Sequence, residues 1–189
     1  MSAFQTDRRA FLSVMAAWPA ALAAAPQKPQ PATSGVRVAA GEGRFNQILR
    51  LPNGGQMFIK VSARDTAGAF LLTEQPSARK GGPPRHYHRD EDEWFYCLEG
   101  KYVVEVGDQR FELNPGDSVL GPRRVPHAFA FVGDTPGRLL VGFTPAGRME
   151  DFFRELSARG QYFGLGDEAD RRRAEKEYGV VNVGPPLKI

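Results

Sequence analysis

The feature that most constrains this chain is a succession of short apolar or alternating runs, each closed by Gly, Pro, Asn or Asp. The runs are Gln56–Ala63, Gly68–Glu74, Trp94–Leu98, Lys101–Val106, Gln109–Leu113, Ser118–Leu120, Ala128–Val132 and Arg138–Phe143. Turn signals separate them, among them Pro52-Asn53-Gly54-Gly55, Gly81-Gly82-Pro83-Pro84, Gly107-Asp108 and Asn114-Pro115-Gly116-Asp117. Side chains alternate faces along a strand, so period two marks a half-buried strand. Eight such runs at near-regular spacing predict an all-β fold, an antiparallel sandwich or barrel. With 21 Gly and 15 Pro in 189 residues, the chain suits many tight turns better than a helical bundle.

The two ends depart from this pattern. A polar start ends in Arg8-Arg9, and Phe11–Ala25 then runs 15 residues without a charge. A membrane span needs about 20 apolar residues. The layout over residues 1–25 is therefore that of a signal peptide, cut near Ala23, with an uncleaved anchor, or an ordinary secretory signal that happens to contain two arginines, as the alternatives. The string Asp7-Arg8-Arg9-Ala10-Phe11-Leu12 also resembles the twin-arginine export signal, although Asp7 and Ser13 depart from it. That resemblance implies a periplasmic protein exported already folded, with no integral membrane span in its mature form.

Residues 26–44 form a linker, Pro- and Gln-rich at its start, and residues 45–145 hold the barrel. In the extension 146–189, Met149, Phe152, Phe153 and Leu156 recur at helical spacing and predict a helix with one buried face. Asp167–Tyr178 predicts a second, capped by Asp167, ended by Gly179 and charged along a solvated face. Val180–Ile189 is then free to return as an extended segment over the barrel or a neighbouring subunit. The net charge of +3 gives no ground for nucleic acid as a partner.

The chain has three histidines, His86, His88 and His127, and one cysteine, Cys97. One cysteine excludes an intramolecular disulfide framework and a cysteine-rich zinc module. In a strand His86 and His88 point the same way, so both imidazoles can share a ligand. An antiparallel return would bring Glu93 back beside them, and His127 arrives from another strand after Pro126. Three imidazoles and a carboxylate make a mixed N/O set that suits Fe, Mn, Ni, Cu, Co or Zn. Asp92 competes with Glu93 for the carboxylate position; Glu93 is preferred for its longer reach. Asp90, Glu91 and Asp92 are expected in a solvated turn.

These residues resemble the cupin superfamily, whose two motifs are G(X)5HXH(X)3,4E(X)6G and G(X)5PXG(X)2H(X)3N. His86, His88, Glu93 and Gly100 match the first, with Gly81 one residue closer than the pattern asks; Gly116, Pro122 and His127 match the second. Arg124 stands where the second glycine is expected, and Phe131 where the asparagine is expected. The tail, with Tyr178-Gly179 and Gly184-Pro185-Pro186-Leu187, also resembles bacterial single-domain cupins related to quercetin 2,3-dioxygenase. The resemblance implies a single double-stranded β-helix (a jelly-roll barrel) with two short C-terminal helices. It implies His86, His88, Glu93 and His127 as ligands of one divalent transition metal, and a homodimer that exchanges a terminal strand. This fold hosts many activities.

Parity from the ligands places Phe95, Cys97, Phe129 and Phe131 inside the barrel, as an apolar aromatic pocket for a small-molecule substrate. Cys97 is read as a pocket wall and not a nucleophile. Arg123 and Arg124, just before His127, stand where they could hold an anionic group. The resulting expectation is a metal-dependent dioxygenase acting with O2 on a flavonol-like or enolisable molecule, with Glu93 as general base. The alternatives are a non-catalytic small-ligand-binding protein, or a lyase, isomerase or decarboxylase on a small acid or sugar, for which Arg124 would matter.

Overall fold

The computed structural model of the chain describes residues 31–163 and 167–189. The signal-peptide reading falls on residues outside that range.

Ten strands precede the helices: β1 (Leu49–Arg50), β2 (Gln56–Val61), β3 (Leu71–Ser77), β4 (Pro84–His88), β5 (Asp92–Glu99), β6 (Tyr102–Val106), β7 (Gln109–Leu113), β8 (Ser118–Gly121), β9 (His127–Phe131) and β10 (Gly137–Thr144). Helix α1 (Met149–Arg159) and helix α2 (Glu168–Arg173) follow, α2 running on through a π-helical turn, Ala174–Tyr178, before a last strand, β11 (Val180–Pro186). All pairs are antiparallel, in two sheets ordered β1-β2-β3-β10-β5-β8 and β11-β4-β9-β6-β7. The two sheets face each other as a jelly-roll barrel.

Local chemistry accounts for the pairing. In β5, Glu93, Phe95 and Cys97 are buried while Trp94 and Tyr96 between them are half-buried, so alternation fixes which edge of the strand faces in. Gly107-Asp108 closes the β6–β7 hairpin, and Val106 pairs with Gln109 across it. Gly107 has a φ of 57°, which glycine adopts without a Cβ penalty. Inside the barrel, Phe95, Tyr102, Val104, Leu139, Val141 and Phe143 form one apolar cluster.

The extension packs back onto this barrel. Helix α1 buries Met149, Phe152, Phe153 and Leu156, the stripe its spacing predicted. Asp167 caps α2 by accepting from Ala169 N, and Gly179 ends the segment at a φ of 70°. β11 then pairs with β4, with Val180 opposite His88 and Asn182 opposite His86. The extended return therefore joins the sheet of its own chain. No helix among the described residues is long and apolar enough to cross a membrane.

Candidate metal centre

Three strands from both sheets build the site. β4 supplies His86 and His88, two residues apart and on one face; β9 supplies His127, the cross-strand partner of His86. β5, in the opposite sheet, supplies Glu93. Their side chains are 12%, 1%, 1% and 5% exposed in the order His86, His88, His127, Glu93. Glu93 Oε2 lies 2.7 Å from His127 Nε2, 3.0 Å from His88 Nε2 and 3.8 Å from His86 Nε2. One donor atom from each of the four residues lies within 4.8 Å of every other.

This donor set fits a single metal ion. His86 Nδ1 lies 2.7 Å from Pro84 O, and His127 Nδ1 lies 2.9 Å from Val125 O. A carbonyl only accepts, so Nδ1 carries the proton of each neutral ring. Both Nε2 lone pairs then point toward the Glu93 carboxylate, an arrangement that is repulsive unless a cation lies among the donors. Bonds of about 2.1 Å from one first-row ion would satisfy them together. Burial, reinforced by the two neighbouring imidazoles, pushes His86 down to about 3 and keeps it neutral. Burial also pushes the Glu93 carboxyl up, but when the metal-free His127 and His88 rings are protonated their Nε2–H groups donate to it, outweigh burial and hold the group below the usual carboxylate range.

Asp92 is occupied elsewhere. Arg123 grips it with Nε at 3.0 Å and Nη2 at 2.8 Å, and its own backbone N donates at 2.9 Å. Glu93, one residue on, therefore turns inward by strand parity, and Arg123 is committed to a carboxylate of the protein itself. The acidic turn is only partly solvated: Asp90 is exposed, while Glu91 is buried.

A cavity of about 620 Å³ opens against the site, with His86, His88, Glu93 and Phe129 in its wall. The rest of the sequence-predicted pocket lies elsewhere. Phe95 and Cys97 do point inward but are fully enclosed in the core, Phe95 edge-on to His127 at 6.0 Å. Phe131 fills a slot cleared by glycines: a Cβ on Gly137 would stand 2.5 Å from its ring. Arg124 lies outside the cavity. Its φ of 65° explains why the motif has glycine there, and Arg124 N donates to His88 O at 2.7 Å while Nε donates to Arg89 O at 3.2 Å.

The cavity wall that sequence reasoning missed comes from the extension and the N-terminal strands. Phe152, Phe153 and Leu156 of α1, Tyr162 beyond it, and Met57 of β2 all line it. Phe153 packs on Phe143 at 5.5 Å, and Phe143 packs edge-on against His88 at 5.4 Å. The helical stripe was visible in the sequence, but nothing local to it says that its buried face closes a cavity.

Residues 72–143 match the model of the Cupin domain family. The match runs from strand β3 through strand β10 of the barrel. An uncharacterized protein of Methanocaldococcus jannaschii is 30% identical over 66 residues, which are 35% of this chain and 53% of that protein. Protein SchB of Streptomyces halstedii is 33% identical over 60 residues, 32% of this chain and 44% of that one. The chain thus spans about half the length of the curated relatives it matches. Among solved structures, the polyketide cyclase RemF from Streptomyces resistomycificus superposes with a TM-score of 0.49 at 20% identity, covering 66% of this chain and 99% of that one.

Proposed function

We propose that this cupin is an exported, metal-dependent enzyme that oxygenates a flavonol-like or otherwise enolisable small molecule with O2. The observation that carries the reading is one arrangement: three neutral-capable imidazoles and a buried carboxylate at the wall of an aromatic-rich cavity. A divalent transition metal held by His86, His88, Glu93 and His127 would supply Lewis acidity toward a hydroxyl or enol oxygen and an open position for O2.

The chain's own residues would do the rest. Phe129, Phe152 and Phe153 offer flat apolar contact to a planar substrate and keep water from it. Pro84 O and Val125 O hold the rings of His86 and His127 in one tautomer. Glu93 is the carboxylate placed to take the substrate's hydroxyl proton at Oε2. While protonated His127 and His88 rings donate to that atom it is a poor base; with both rings neutral and their protons on Nδ1, it is free of those donors.

O2 consumption by the purified, metal-loaded chain, measured against a panel of flavonols and enolisable dicarbonyls, tests this. Substrate-dependent uptake abolished by Glu93→Gln is expected. No uptake with any member, alongside a ligand-induced thermal shift that survives metal removal, would instead establish a binding protein. Export is tested separately, by following the full-length chain to the periplasm with Arg8-Arg9 intact and replaced by Lys-Lys.

A further inference from the structure

Two of the three imidazoles share one local arrangement. His86 and His127 each aim Nδ1 at the carbonyl two residues earlier in the chain, Pro84 O and Val125 O. His88 breaks the rule. Its Nδ1 is buried and has no hydrogen-bond partner, and only one other buried side-chain polar atom among the described residues shares that state: Glu91 Oε2.

The two orphans sit beside the same stretch of backbone. Val180 pairs with His88 in the sheet, and Arg89 N donates to Gly179 O at 2.8 Å. Glu91 Oε2 lies 3.8 Å from where a Cβ on Gly179 would stand. The other carboxylate oxygen occupies space that only glycine leaves, since a Cβ on Gly147 would stand 1.8 Å from Oε1. Two glycines at the ends of two loops thus make room for this one carboxylate, and Glu91 is 3% exposed. No Lys or Arg among the described residues pairs with it. Burying a carboxylate oxygen without a partner is costly, as is burying an unmatched N–H. A contact between the two would relieve both.

We propose that Glu91 is the positioning residue of His88: it accepts the Nδ1–H, directly or through one bridging water, and so presents the Nε2 lone pair to the metal. Glu91 touches neither metal nor substrate and acts only through His88, as outer carboxylates do for metal-bound histidines elsewhere. The proposal rests on the metal reading of the site. It also gives each imidazole its own proton acceptor: two backbone carbonyls for the outer pair, and a carboxylate for the ring between the two sheets.

The test uses Glu91→Leu, which removes the acceptor and fills similar space, and Glu91→Gln, which keeps one acceptor oxygen. Zn(II) affinity is read by competition with a chromophoric chelator. The ring nitrogens are read by long-range 1H–15N correlation in the full chain labelled with 15N-histidine, and melting of the metal-free variants reports folding. Zn(II) binding about 10–100-fold weaker is expected in Glu91→Leu, with partial recovery in Glu91→Gln. The His88 Nδ1 resonance should move in Glu91→Leu while those of His86 and His127 stay. Wild-type Zn(II) affinity in a folded Glu91→Leu, or an unmoved His88 Nδ1, overturns the proposal. If the wild-type chain takes no Zn(II), the metal reading fails; the metal-free spectra then decide alone, a moved His88 Nδ1 supporting the contact and an unmoved one refuting it.

Discussion

Phe153 links the stability of the extension to the geometry of the metal centre. Its ring packs on Phe143 at 5.5 Å and on Phe152 at 5.5 Å, and Phe143 in turn backs His88. Truncating a buried Phe to Ala costs about 3–5 kcal/mol, through lost burial and the void left behind. Phe153 is 8% exposed and one side of it already faces the cavity, so fewer packed neighbours are lost than in a closed core. We therefore expect about 3 kcal/mol for Phe153→Ala, at the low end of that range. For a domain of this size each kcal/mol moves Tm by about 2–4 °C, giving a fall of about 6–12 °C. Thermal and urea unfolding of the metal-free chain measure it. Phe153→Leu, which keeps most of the apolar volume, should recover more than half of the loss. Metal stoichiometry should survive both changes, because the ligands stand on strands and not on α1. A loss below about 1 kcal/mol would mean that α1 is not seated on the barrel in solution, and the cavity wall assigned to it would have to be abandoned.

Other outcomes are equally specific. His88→Ala and Glu93→Gln should each purify without stoichiometric metal, and metal content equal to wild type would overturn the ligand assignment. His86 is pushed down to about 3 in the folded chain, against about 6.5 unfolded, so the unfolded chain takes up its proton first as pH falls. The stability it contributes to metal-free protein is complete above about pH 6.5 and declines toward pH 3; a urea midpoint that is flat between pH 7.5 and pH 5 contradicts this. In Gly82→Ala the new Cβ would stand 1.7 Å from Phe129 O, a backbone atom that cannot swing aside. About 1–3 kcal/mol should be lost, read as a lower Tm, and an unchanged Tm would show that the β3–β4 connection yields freely.

Much of the barrel was legible because its signals are local. The Gln109–Leu113 run keeps its boundaries in the structure, since a two-residue turn and an Asn-Pro-Gly-Asp turn bracket it. The approach of His86 to His88 is a parity argument and needs only a strand; the approach of Glu93 and His127 needed the motif spacing as well. What was not legible depends on partners far along the chain. The two-residue β1 is too short for a period to show, and β4, PRHYH, has no apolar alternation to mark its bounds. Phe131 carries no sign that Gly100, Gly133 and Gly137 leave a slot for its ring. Glu91 sits in a run of acids whose composition says solvent, and only the approach of Gly147 and Gly179, from two later segments, buries it.

The pairing of β11 with β4 also sets an order of events. A chain emerges from the ribosome N-terminus first, and its domains begin folding from that end. The strand carrying His86 and His88 is made well before its outer edge is covered, because β11 follows both helices in the chain. Until then β4 is an open sheet edge, able to pair with the wrong strand or a second nascent chain. Closing that edge across so long a loop is also entropically slow. The histidine pair is therefore guarded late, and a change that weakens β11 would act on the maturation of the metal centre before it acted on the chemistry.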